Sequence, residues 1–379
     1  MAKIKQIICI SLVLFTFSVN AQNIVLGAER TETYLPLLKN KKVGVIGNQS
    51  SMIVNTHLVD SLLSLGIDVV KVFSPEHGFR GTADAGAIIE DGIDSKTGIP
   101  IISLYGNNKK PRKEQLKEID ILVFDIQDVG VRFYTYISTL HYVMEAAAEN
   151  NINVIVLDRP NPNGHYIDGP ILDTTFQTFV GMHAIPIVHG MTIGEYGKMI
   201  NEENWISTKC DLTIIKMENY THDMSYNLPI KPSPNLPNAR SINLYPSLCL
   251  FEGTSISIGR GTDYPFQHFG APYLESSYSF TPKSGEGSKY PKHEDIVCFG
   301  TDLRFQDNYL TTINLNWIIE AYKQCPEKEE FFTNFFDKLA GTDKLRKQII
   351  AGETAREIKA TWKEGLEDFK KIRKKYLIY

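Results

Sequence analysis

The chain has 379 residues, which leaves room for two domains at roughly 150 residues each. Hydrophobic residues make up 42% and charged residues 22%, the balance of an ordinary globular protein. A net charge of −4 implies no strongly basic face and argues against a nucleic-acid partner, while leaving room for a local cationic pocket.

At the N-terminus Lys3 and Lys5 precede an apolar run, Ile7 to Phe17, and the small-residue site Val19-Asn20-Ala21. This is the layout of a cleaved secretory signal over residues 1–21. The apolar run is short for a membrane span, and Cys9 lies early in it rather than just past its end, so no membrane anchor is expected. The mature chain is read as exported, to the periplasm or beyond.

Lys42 to Ile46 reads as a first strand, followed by the polar turn Gly47-Asn48-Gln49-Ser50-Ser51. Gly44 and Gly47 suggest a dinucleotide fingerprint, but the third glycine is missing and no cofactor is expected. A helix is expected over Leu58 to Leu65. Val69 to Phe73 is a second buried strand, stopped by Ser74-Pro75, since proline cannot continue the ladder. Glu76, His77, Gly78 and Arg80 follow at once; a solvated loop with Glu76 paired to Arg80 is the plain alternative. Ile99 to Leu104, Ile119 to Phe124 and Asn153 to Leu157 are further strands, with a helix over Tyr136 to Glu149 between the last two. Alternating strands and helices indicate βαβ units, and hence an α/β fold with a mainly parallel sheet. In such a sheet the strand ends share one edge, so Asn48, Glu76, Asp125 and Asp158 converge although distant in sequence. Asp158, before Arg159-Pro160, has a second reading as a turn-ordering residue.

Thr192 and Glu195 stand at capping-box spacing, which makes Glu195 structural. His189, just before, either faces the cleft or is a hydrogen-bonded core histidine. Leu228 to Asn238 carries four prolines and excludes regular structure. It is read as the connection between an N-terminal domain (22–235) and a smaller α+β domain (236–379). There, Arg260 lies between Gly259 and Gly261, which lets a guanidinium approach a ligand closely, and Tyr264 and Phe266 could stack on a sugar face. A tight turn over a small aromatic core explains the same residues. Helices are expected over Leu315 to Tyr322, Phe331 to Leu339, Lys344 to Ile350 and Ala355 to Tyr376, the last ending in a basic, solvated turn. Cys210, Cys249, Cys298 and Cys325 show no metal-ligand spacing, so no metal is expected. One disulfide is open, though buried free thiols are the favoured reading.

Several stretches together resemble one family. They are Ser74-Pro75-Glu76-His77-Gly78-Phe79-Arg80-Gly81, Phe124 to Tyr134 and Leu157-Asp158-Arg159-Pro160-Asn161-Pro162. Pro232-Ser233-Pro234-Asn235-Leu236-Pro237, Phe251-Glu252-Gly253-Thr254 and Gly259-Arg260-Gly261-Thr262 complete the pattern. In order and spacing the chain resembles the bacterial exo-β-N-acetylmuramidases, over nearly all of 23–379. The resemblance implies release of terminal N-acetylmuramic acid from peptidoglycan fragments, a Rossmann-like N-terminal domain, a smaller C-terminal domain and a catalytic glutamate at Glu76.

Glycoside hydrolysis commonly uses two carboxyl groups. Glu76 with Asp125 or Asp128 would supply such a pair, and His77 would tune or relay Glu76. Participation by the substrate's own N-acetyl group is a third route. Muramic acid also carries a lactyl carboxylate, which calls for a cation. Arg80, Arg132, Arg159 and Arg260 all adjoin site-like residues, with Arg260 preferred and Arg132 second. An exported sugar-binding protein without turnover is the alternative function. An esterase or amidase ranks last, because no GxSxG elbow occurs. The oligomeric state is left open.

Overall fold

The β-branched runs pair into a seven-stranded sheet whose polar strand ends gather on one edge. The computed structural model describes residues 23–76, 78–80, 91–285, 287–306 and 308–379. The expected signal over 1–21, and His77, lie outside these described residues. In chain order the first part comprises α1 (Thr31–Leu38), β1 (Lys42–Gly47), a small hairpin of β2 (Met52–Ile53) and β3 (Thr56–His57), α2 (Leu58–Ser64), β4 (Asp68–Ser74), β5 (Gly92–Ile93) and β6 (Pro100–Ser103). It continues with β7 (Ile121–Asp125), α3 (Tyr136–Glu149), β8 (Asn153–Leu157), α4 (Ile193–Glu202) and β9 (Leu212–Ile215).

The sheet runs β5-β6-β4-β1-β7-β8-β9, with every pair parallel except the edge pair β5–β6. Counting only the parallel strands, this is the 3-2-1-4-5-6 order of the Rossmann fold. Val43, Val45, Ile46, Leu122, Val123 and Phe124 are all buried, as strands covered on both faces require. Leu140, Val143, Met144 and Ala147 of α3 enter the core, as their helical spacing implies. The capping box forms as read: Thr192 Oγ1 accepts from Glu195 N–H at 3.2 Å and Glu195 Oε2 from Thr192 N–H at 3.0 Å.

The proline-rich stretch 228–238 contains no helix or strand and ends where Asn238 caps α5 (Ala239–Leu248). A three-stranded antiparallel sheet follows, of β10 (His268–Ala271), β11 (Tyr278–Phe280) and β12 (Cys298–Asp302). The chain then forms α6 (Asn316–Gln324), α7 (Lys328–Phe331), α8 (Asn334–Ala340), α9 (Lys344–Ile350), α10 (Ala355–Ala360) and α11 (Lys363–Arg373). Cys210, Cys249, Cys298 and Cys325 are free and buried.

Two helices expected to be continuous are broken. Phe332 is drawn into a bridge with Thr254, so α8 starts only after the Thr333 cap. The expected helix over 355–376 divides at Thr361-Trp362. There the Thr361 hydroxyl turns back onto the Ile358 carbonyl at 2.6 Å, and Trp362 is buried in the core. Nor is the basic C-terminus simply solvated. Arg373 donates to the Gly190 carbonyl, Ile378 N–H to Glu195 Oε1 at 2.9 Å, and Tyr379 O–H to Asp158 Oδ2 at 2.7 Å. The tail thus locks onto the α4 end of the parallel sheet, and one hydrophobic core runs from Ile46 to Tyr376.

Candidate active site

A cavity of about 530 Å³ lies among the loops at the carboxyl edge of the sheet, between them and the C-terminal half. Several wall residues are delivered where the chain leaves regular structure. Glu76 follows the proline that ends β4, and Tyr105 follows β6 on the neighbouring strand. Tyr134 comes from the β7–α3 connection, Tyr136 opens α3, and Asn235 comes from the proline-rich stretch. Glu252 and Arg260 come from the turns between α5 and β10.

Tyr105 O–H donates to Glu76 Oε1 at 3.3 Å. Burial, and then the charge of Glu76, push the Tyr105 hydroxyl up to about 12, so it stays a protonated donor across the physiological range. Burial likewise raises Tyr136, with Glu76 the largest charged contributor. Asn48 Nδ2 donates to the Tyr136 oxygen at 2.9 Å, and Tyr134 O–H donates to the Pro232 carbonyl at 2.9 Å. On the C-terminal side Arg260 addresses Glu252 Oε1 through Nε at 2.6 Å and Nη2 at 2.5 Å. Its guanidinium also lies 5.1 Å from the Phe266 ring centroid. Lys292 anchors the turn bearing Glu252 by donating to the carbonyls of Phe251, Thr254 and Ile256. Burial pushes Lys292 down to about 8.

Of the residues singled out in sequence, Glu76, Arg260 and Phe266 line the cavity. Asp125 does not: it is fully buried and gripped by Arg159, which also donates to the Met52 carbonyl. Neither is therefore placed as a second carboxyl or as an anion receptor. Asp128 is buried off the cavity wall, with Oδ2 accepting from Gly130 N–H at 2.6 Å, and burial pushes it up to about 7. Asn48 reaches the cavity only through Tyr136. Arg80 forks onto Asp94 at 2.8 and 2.7 Å and reaches Asp60 at 3.2 Å, so it clamps the loop behind Glu76. Arg132 is completely buried and donates to the carbonyls of Pro170, Ile185, Leu339 and Ala340, which corrects its reading as an anion receptor. Asp158 is buried too, and accepts from Thr192, Gly194 and Tyr379; it orders the turn, the plainer of its two readings. Tyr264 is exposed, stacks under Arg304 at 4.4 Å and is absent from the cavity wall. His189 is buried beside Tyr196 and does not line the cavity.

The sequence reading missed Glu252, Tyr105 and Tyr136. Glu252 stood inside Phe251-Glu252-Gly253-Thr254. Gly253 there is signalled by close packing, because a Cβ at that position would fall 2.4 Å from the Phe336 backbone. Tyr105 was signalled only as the first large polar side chain past the end of β6. Among the described residues no group of three or more His, Cys, Asp or Glu is placed to hold a metal ion.

The family models described as exo-β-N-acetylmuramidase NamZ, N-terminal and C-terminal, match residues 43–240 and 243–379 respectively. The peptidoglycan β-N-acetylmuramidase NamZ of Bacillus subtilis (strain 168) is 43% identical over 377 residues, covering 91% of this chain and 89% of that protein. Two crystal structures of DUF1343 family proteins from Bacteroides fragilis NCTC 9343 share the fold. One has a TM-score of 0.89 at 49% identity and the other 0.82 at 30%, each covering 94% of this chain and 99% of its own. Fold, cavity and relatives together define a glycoside hydrolase. The chain belongs to the exo-β-N-acetylmuramidase NamZ family.

Proposed function

We propose that the protein releases terminal N-acetylmuramic acid from the non-reducing end of peptidoglycan fragments, with Glu76 as the general acid. The observation carrying this reading is the position of Glu76 just past β4, on the wall of a cavity that also holds the Glu252–Arg260 pair. Glu76 protonates the leaving glycosidic oxygen, and the Tyr105 hydroxyl stabilises the carboxylate that remains. Glu252, paired with Arg260, is the second carboxyl group of the cavity. Arg260 offers the guanidinium that a lactyl carboxylate requires. The lysine-led apolar N-terminus supports export to the periplasm or beyond, where such fragments arise. Among the described residues no helix is long and apolar enough to cross a membrane.

The test is turnover of a chromogenic β-N-acetylmuraminide beside the matching glucosaminide. The wild type should cleave the muraminide preferentially. Glu76→Gln, which keeps the shape and removes the proton, should cut kcat by at least about two decades on a substrate with a poor leaving group. Saturable binding without turnover by the wild type would identify a sugar-binding protein instead.

A further inference from the structure

Tyr136 is 2% exposed yet lines the cavity, and its hydrogen-bond polarity follows from its neighbours. Ser50 N–H is an unambiguous donor 2.9 Å from Asn48 Oδ1, and the Ser50 hydroxyl lies 2.6 Å from the same oxygen. The Asn48 amide is thereby fixed with its oxygen toward Ser50 and its NH₂ toward Tyr136, 2.9 Å away. The Tyr136 oxygen must therefore accept, and its own hydrogen must point elsewhere. Within the protein its competing acceptors are the Pro232 carbonyl, 3.5 Å away and already receiving Tyr134 O–H at 2.9 Å and Gln49 Nε2 at 3.1 Å, which occupy both lone pairs, and the neighbouring Tyr134 hydroxyl. The Tyr134 ring, edge-on at 4.9 Å, closes one side. The direction that offers a substrate acceptor is the cavity, in the space that Tyr136 shares with Glu76.

We infer that Tyr136 is a further catalytic residue: it donates a hydrogen bond to the acetamido carbonyl of the terminal sugar, and Asn48 is the positioning residue that aims it. The choice of acceptor is chemical. Of the oxygens beside the anomeric carbon, the glycosidic oxygen is the one Glu76 protonates, and the ring oxygen is a weak acceptor. The amide carbonyl on the adjacent carbon is a strong one, while a lactyl carboxylate is drawn to the cations Arg260 and Lys109 on the same wall. A donor held in this orientation before substrate arrives costs no reorganisation during reaction. This inference rests on the muramidase reading above.

The experiment is a double-perturbation cycle of wild type and Tyr136→Phe against N-acetyl and N-trifluoroacetyl muraminides, the fluorines weakening the carbonyl as an acceptor. Tyr136→Phe should lower kcat/KM about 10- to 100-fold on the N-acetyl substrate, and by a factor at least about threefold smaller on the fluorinated one. Asn48→Asp turns the donor into an acceptor and draws the Tyr136 hydrogen out of the cavity. It should reproduce much of the Tyr136→Phe loss and add little to it in the double variant. Equal losses on both substrates, or wild-type rates in Tyr136→Phe, would overturn the inference. Tyr136→Phe deletes one buried oxygen, so its cycle decides the matter even where Asn48→Asp folds poorly. Absence of muraminide turnover by the wild type would instead refute the underlying reading.

Discussion

Arg159 forks onto Asp125, with Nε 2.6 Å from Oδ1 and Nη2 2.9 Å from Oδ2, and both side chains are almost wholly buried. The pair ties the end of β7 to the residue just beyond β8, beneath the loops that carry the cavity. It converts the most obvious partner for Glu76 into a structural element.

Asp125→Ala should therefore damage stability before chemistry. Removing one partner leaves a buried guanidinium without its counter-charge, a loss on the order of 3–5 kcal/mol. Urea unfolding would read this as a lower midpoint, with kcat per folded molecule within about tenfold of wild type. Glu76→Gln should show the reverse pattern. If Asp125→Ala folds as stably as wild type while kcat collapses, Asp125 belongs to the reaction.

Arg260 and Arg132 make opposite predictions. Arg260→Lys keeps a charge but not the planar fork, so the muraminide-to-glucosaminide ratio of kcat/KM should fall on the order of ten- to a hundredfold. Glu252→Gln releases Arg260 from its present partner and should also move that ratio, since the two share one oxygen contact. Arg132→Lys cannot reach all four carbonyls that the guanidinium bridges and should lower stability by about 1–3 kcal/mol, leaving the ratio unchanged. A ratio that answers to Arg132 and not to Arg260 would reverse the assignment.

Asp128 sets a pH dependence of stability. Burial raises its carboxyl from the ordinary 3.8 to about 7 in the folded protein. The folded state then binds the proton more tightly than the unfolded state, so stability falls as pH rises from about 4 through 7. The full cost is present above about 7. Asp128→Asn removes the titration while its amide oxygen can still accept from Gly130 N–H. The stability difference between variant and wild type should favour the variant by about 1–4 kcal/mol more at pH 8 than at pH 4. Parallel pH profiles for the two proteins would show that Asp128 does not titrate in this window. Asp158, raised to about 6, is common to both proteins and cancels in the comparison.

The sequence by itself determined the main parallel strands and the helices between them in the N-terminal part, and the edge on which the site lies. Strands such as Asn153–Leu157 and helices such as Tyr136–Glu149 are written in burial periodicity, which neighbouring residues carry alone. Proline after Ser74, and the proline run from 229 to 237, punctuate the chain where it leaves regular structure to build the cavity. Glu76 and the Thr192–Glu195 cap were legible for the same local reason. What only the tertiary structure decided is which charged groups are already spent on one another. Arg159 meets Asp125 across 34 positions, Arg132 meets Leu339 and Ala340 across more than 200, and Arg80 finds Asp94 on another loop. A long cationic side chain beside a motif reads identically whether it faces solvent, ligand or buried carbonyls. Its partner is chosen by packing between distant segments, where leaving a charge or a carbonyl unpaired costs more than any local preference supplies.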